Sequence, residues 1–172
     1  MFLIFTTMKI IHNKLIPFGS FGLINILGLL FTKVPVEKIS DSVKRHEGTH
    51  TYQQYELVMI SAIISLVLCN IFASWWYLVF LPIIPFITYA LAFLIELAIP
   101  PYYNAKEFFA GKSRCEQIKA IWPWLKKVWI DAYYDNCFER EANANEHDPM
   151  YLAMRPFCAM FRYIIPRKER TE

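Results

Sequence analysis

Lysine and arginine are missing from one long part of this 172-residue chain. Between Leu57 and Ala105 the only charged residue is Glu96, while six basic residues precede the stretch and twelve follow it. The apolar run within it, residues 57–99, is too long for the rest of so small a chain to cover, which argues against an ordinary buried hairpin. Cysteine is equally uninformative as a scaffold. Cys69, Cys115, Cys137 and Cys158 form no CxxC pair, so they give neither a metal finger nor a disulfide framework, and free thiols in a reducing compartment are expected. The opening residues MFLIFTT are too short for a signal-peptide core followed by a cleavage site. No basic-aromatic array points to nucleic acid, and no repeat or low-complexity segment interrupts the chain.

What is present is apolar and concentrated. Hydrophobic residues make up 56% of the chain and aromatics 17%, which is high for a soluble domain, and the length suits one domain spanning 1–172. One membrane crossing needs about 20 residues, so residues 57–99 suffice for two. A turn is expected at 69–74, followed by Trp75, Trp76 and Tyr77 at a membrane interface. Pro82 and Pro85 should kink the second arm or mark another break. Both flanks are basic and the tip is uncharged, so the positive-inside rule places both flanks in the cytoplasm. The net charge of +3 and the cluster Arg167, Lys168 and Arg170 suit anionic lipid headgroups, making membrane lipid an expected partner.

Outside the hairpin the pattern is mixed. Residues 15–32 are apolar, but Gly19, Gly22 and Gly28, with Pro17 and Asn25, argue against a continuous helix. Short strands with a bend near Gly28 are expected there, forming a small N-terminal β-ribbon. Ser40, Asp41 and Ser42 supply helix-starting oxygens, so a helix over 41–56 should run on into the apolar stretch. Helical patterning resumes near Cys115, is interrupted at Pro123 and continues to about Asn145, where Asp148-Pro149 ends it. A final amphipathic helix is expected over 150–165.

The helix over 41–56 carries His46-Glu47-Gly48-Thr49-His50, an HExxH pattern. With four histidines and eleven glutamates, chance would produce it in roughly one such sequence in two hundred. Residues four apart share a helix face, so two imidazoles can hold one metal ion while Glu47, at the flank, acts as general base toward a water. Gln53 lies on the same face. With Glu56 it is a candidate to orient the ligands, surface solvation being the alternative. A catalytic zinc site needs a third protein ligand, and Glu139, Glu141, Glu146, His147 and Asp148 are all candidates by position.

The chain resembles the gluzincins, HExxH peptidases whose third ligand is a glutamate on a later helix that often reads ExxA followed by Asp. Here Glu139, Ala142 and Asn143 match those positions. The resemblance implies Zn2+ held by His46, His50 and Glu139, with Asn143 standing where an acidic residue often orients a histidine. It extends to small HExxH proteins of Bacteroidetes and phages through IPFGSFGLIN at 16–25, HEGTHTYQQYE at 46–56, FEREANANE at 138–146 and YLAMRPF at 151–157.

The expected fold is therefore mainly α with a small β-ribbon: a compact zincin-like helical core carrying an apolar transmembrane hairpin. The third-ligand region is 115–145. The expected function is a membrane zinc metallopeptidase of the bacterial inner membrane, its site facing the cytoplasm and its substrate a peptide or protein. Tyr133, Tyr134 and His147 are candidate oxyanion donors, packing being the alternative for the tyrosines. The alternative function is a non-catalytic, zinc-stabilised membrane or interaction protein. Topology adds one constraint. His46 and His50 precede the apolar run and Glu139 follows it, so they meet only if the chain returns to its starting side.

Overall fold

A computed structural model of the chain describes residues 8–17 and 22–164, apart from the side chains of 98–104, 106 and 107. The opening apolar run, residues 18–21 of the IPFGSFGLIN segment, and residue 165 lie outside the described residues. The molecule is mainly helical, with one small sheet and two long apolar helices.

The sheet has three strands, of which two lie in the β-ribbon expected over 15–32 and one precedes it. β1 (Lys9–His12) pairs parallel with β3 (Leu29–Thr32), and β2 (Leu23–Ile26) pairs antiparallel with β3. The bend near Gly28 is a two-residue hairpin turn in which Leu27 and Gly28 both take positive φ, 47° and 81°. β1 escaped sequence reading because KIIH is a four-residue strand whose partners in β3 lie twenty positions further on, Lys9 opposite Leu29 and His12 opposite Thr32.

Helix α1 (Asp41–Phe72) starts where expected: Ser40 caps it by accepting the Val43 N–H. It runs without a break from the histidines through the first apolar arm. Ala73, left-handed at φ 49°, and Ser74 both donate their N–H to the Cys69 carbonyl and stop it. A 3-10 turn over Trp75–Val79 leads into α2 (Phe80–Phe109). Neither Pro82 nor Pro85 ends this helix. Pro82 sits in its first turn, where backbone donors are unpaired anyway. The second arm also outruns its expected end at residue 99, continuing ten residues to Phe109.

Two further expectations are corrected. Helix α3 (Arg114–Tyr134) passes straight through Pro123, and the break falls at Asn136 instead, before α4 (Cys137–Asn145). Proline removes one backbone bond, but aromatic packing anchors α3 to α2 directly after it, through Phe109–Trp124 and Phe93–Trp129. The amphipathic helix expected over 150–165 is only α5 (Tyr151–Met154), followed by a 3-10 turn over Ala159–Tyr163. Arg155 precedes Pro156, which excludes the helical conformation, and its ψ of 125° is extended.

α1 is the spine. The sheet hangs on one side: Asn25 donates to the Glu47 carbonyl and to Thr51 Oγ1, and Gln54 accepts from Leu27 N–H and donates to the Asn25 carbonyl. On the other side α4 packs through Leu57, Cys137, Phe138 and Met160. α5 approaches so closely that a Cβ on Gly48 would stand 2.8 Å from Leu152 Cδ1. The hairpin of α1 and α2 thus returns the chain to its start, as the shared site requires.

Candidate metal centre

Three side chains from two helices converge. His46 and His50 lie one turn apart on α1, with their Nε2 atoms 3.1 Å from each other. Glu139 reaches them from α4: its Oε2 is 3.4 Å from His46 Nε2 and its Oε1 is 3.4 Å from His50 Nε2. Glu139 is there because of the break at Asn136. The buried Asn136 side chain accepts the N–H groups of Phe138 and Glu139, which starts α4 at the turn that aims Glu139 at α1.

The hydrogen bonds around the centre decide where its protons are. Gln53 donates its amide Nε2 to the Phe138 carbonyl, at 3.0 Å, and to Glu141 Oε2, at 2.9 Å. Both partners are acceptors, so the amide orientation is settled. Gln53 Oε1 therefore faces His50 Nδ1, 2.8 Å away, and His50 Nδ1 must carry the proton. His46 Nδ1 likewise faces a carboxylate, Glu146 Oε2, at 3.3 Å. With both rings neutral, both Nε2 atoms carry bare lone pairs, pointing at each other and at a carboxylate. Three acceptors meeting with no donor repel one another unless protons or a cation sit among them. This group could hold a metal ion. Where protons take that place, the histidines donate to Glu139; burial favours its neutral form, but these bonds and charges outweigh it and pull the carboxyl down to about 2.

The remaining candidates fall into place around this trio. Glu47 is half-buried, and among the described residues no group hydrogen-bonds its carboxylate. Tyr133 lies within electrostatic reach: burial first, then the charges of Glu139 and Glu47, push its phenol up. Tyr134 is exposed, edge-on against Tyr133. His147 is 82% exposed and faces the outer oxygen of Glu146, so it does not reach the centre. Asp148 accepts the Met150 N–H and is no ligand either. Asn143 is exposed on α4, which corrects its expected role. The carboxylate at the His46 ring is Glu146, a residue weighed in the sequence only as a ligand. Arg45 steadies it by donating Nε to the Glu146 carbonyl at the end of α4.

Glu141 and Glu56 belong to a deeper layer. Glu141 is fully buried and holds Gln53, the Tyr151 hydroxyl at 2.7 Å and the Arg155 guanidinium through both oxygens. Arg155, 2% exposed, also donates to Glu56 Oε1 at 2.6 Å, and that oxygen accepts the Cys158 N–H. Glu56 is thus two hydrogen-bonded residues away from Gln53, not beside a histidine. Burial disfavours the charge on Arg155, but the two carboxylates outweigh this and raise its pKa. Two carboxylates against one guanidinium leave a negative layer behind the lone pairs, which favours a cation in front of them. Sequence reasoning assigned no role to Arg155. Its only signal was an arginine before proline within YLAMRPF.

No protein-family model matches the chain, and no curated protein and no solved structure matches it significantly.

Proposed function

We propose that the chain is a zinc-dependent peptidase of the membrane surface, zincin-like in its core, with His46, His50 and Glu139 as ligands and Glu47 as general base. The observation that carries this is the convergence of His46, His50 and Glu139, each with a ligand atom turned to one point. Zinc held at about 2.0–2.1 Å in tetrahedral geometry sets its ligand atoms roughly 3.3 Å apart. The donors here are separated by 3.1, 3.4 and 3.4 Å. Two imidazoles and one carboxylate are also the donor set of catalytic zinc sites that leave one position open.

Zinc in this place would polarise a scissile carbonyl and acidify a water. The protein's own contribution is positional. Gln53 and Glu146 hold the histidine rings in one tautomer. Glu47, whose carboxylate no described residue hydrogen-bonds, is free to accept a proton from water and return it to the leaving amine. Tyr133 is the best placed of the oxyanion candidates, because it alone of the three is near both carboxylates.

Two helices are long and apolar enough to cross a membrane. His50 lies seven residues before Leu57, roughly 10 Å along the helix. A bilayer around the hairpin therefore puts the centre just outside the apolar layer, and the basic flanks put that side in the cytoplasm. The non-catalytic alternative would leave Glu47 without a task.

The test is metal analysis of the purified protein together with Glu47→Gln. About one zinc per chain is expected in both, with hydrolysis of a peptide library by the unmodified protein only. Glu139→Ala should weaken zinc binding by roughly a hundred- to a thousandfold, its share of the binding energy of such a site. Full zinc retention in Glu139→Ala would remove the ligand set, and undiminished zinc-dependent hydrolysis by Glu47→Gln would remove the base.

A further inference from the structure

A groove of about 960 Å3 opens along the hairpin between α1, α2, α3 and the β2–β3 turn. Its far end is formed by Leu81, Pro82 and Phe86, its near end by Asn25, Leu57 and Tyr89. The near end adjoins the metal centre through two walls. Asn25 is bonded to the carbonyl of Glu47. The Tyr89 ring stacks on Phe138, the residue before Glu139, with centroids 5.1 Å apart.

The chemistry of the lining selects the occupant. No charged side chain lines the groove. Its two amides are spent: Asn25 Nδ2 on Glu47 and Thr51, Gln54 on the Leu27 N–H and the Asn25 carbonyl. The Leu27 carbonyl is taken by the Tyr55 hydroxyl. Apart from the Tyr89 hydroxyl and the Trp129 indole N–H, an extended peptide lying here would find no partners for its backbone groups, a cost of several kcal/mol for each one left unpaired in an apolar medium. A phospholipid would bring a phosphate to a mouth without a cation. A bare hydrocarbon chain has neither need, and the volume suits it.

Resting on the peptidase reading above, we infer that the groove takes the acyl chain of a lipid-modified peptide and presents the peptide attached to it at the metal centre. The acyl chain supplies membrane retention and binding energy. The uncharged amide or ester joining it to the peptide passes the near end by Asn25 and Tyr89, and the peptide lies in the aqueous layer beside Glu47. This makes the apolar groove a specificity element, because a peptide of the same sequence without the chain has nothing to fill it.

The test is photolabelling of the full chain in phosphatidylcholine nanodiscs, using an N-palmitoyl tripeptide with a diazirine near the end of the acyl chain. Saturable labelling of Pro82 and Phe86 is expected, competed by unlabelled palmitoyl tripeptide and not by the acyl-free tripeptide. Moving the diazirine next to the carbonyl should shift labelling to Leu57 and Tyr89. Ala90→Trp, which fills the groove, should cut labelling about tenfold while zinc content is unchanged, and Val58→Phe should do the same more weakly. His46→Ala should lose zinc and keep the labelling, which separates this inference from the metal reading. Equal, non-saturable labelling of the outward-facing Ile87 and Leu94 would overturn it. So would equally saturable labelling of the groove by a diazirine phosphatidylcholine, which would mark a structural lipid site.

Discussion

The base of the molecule and its hairpin obey opposite rules. The base buries charges in company: Arg155 lies between Glu141 and Glu56, and Glu139 between two histidines. In the hairpin, small residues are inside and large apolar ones outside. Ser61 and Ser65 of α1 are fully buried, while Ile71 is 67% exposed and Phe72 57%. Water would penalise that arrangement by roughly 25 cal/mol for each Å2 of apolar surface left exposed. Hydrocarbon would not, and there helix contact depends on small side chains that let backbones approach. On the membrane reading proposed above, the difference means that the two halves are built for two solvents. The border between them is marked by Glu96, the single charge of the apolar run, which is 5% exposed and paired with Arg140 at 2.7 Å. Arg140 is the neighbour of Glu139, so the hairpin's only charge is tied to the helix that completes the site.

The sharpest way to break the base is Arg155→Ala. It strands two buried carboxylates, and a loss of about 3–5 kcal/mol is expected in denaturant unfolding in detergent. A change under 1 kcal/mol would mean that the network is solvated. Acid is the next largest perturbation. Glu139, with its carboxyl at about 2 against an ordinary 4.5, stays ionised down to strongly acidic pH. Its contribution to stability is present above 4.5 and lost as pH falls toward 2. The histidines, which must be neutral to bind metal, therefore set metal loss. Burial works against a charge on His50, but its hydrogen bond and charge attraction to Glu139 outweigh this and raise its pKa, so zinc affinity should fall as pH drops and a proton competes with the ion at this ligand. Competition with a chelator at several pH values would measure this; a drop centred near pH 3 would assign control to a carboxylate instead.

Smaller effects separate neighbouring residues. Gln53→Ala should weaken zinc about ten- to a hundredfold with the fold intact, because it frees the His50 ring. Asn143→Ala should leave zinc affinity unchanged, since Asn143 faces solvent. The reverse ranking would restore Asn143 as the orienting group. In the hairpin, Ser65→Leu should cost about 1 kcal/mol by forcing the arms apart. Ile63→Leu, on the outer face, should cost less than that in the same assay. Equal costs would show that the hairpin has no inside.

Much of this contrast was legible in the chain. HExxH spacing, the Ser40 cap, the missing lysines and arginines, and the turn at 69–74 are local signals, each readable within a few residues. The corrections share a different cause. Pro123 looks like a helix break because proline is one locally, but packing of α3 on α2 holds the helix through it. Asn136 looks unremarkable, yet as a buried cap it makes the break that aims Glu139. Residues 150–165 look amphipathic, but Arg155 before Pro156 turns away to meet Glu141, fourteen positions back, and Glu56, ninety-nine back.

By itself the sequence determined the helix period that aligns His46 with His50, the apolar length of the hairpin and the sign of the charge on its flanks. These depend on backbone geometry and composition, which need no distant partner. Only the tertiary structure decided which of five acidic or imidazole candidates meets the histidines, which carboxylate orients His46, and where Arg155 goes. Those choices turn on distances of about 3 Å between residues up to a hundred positions apart. Only the packing of α4 and its following turns against α1 sets such distances.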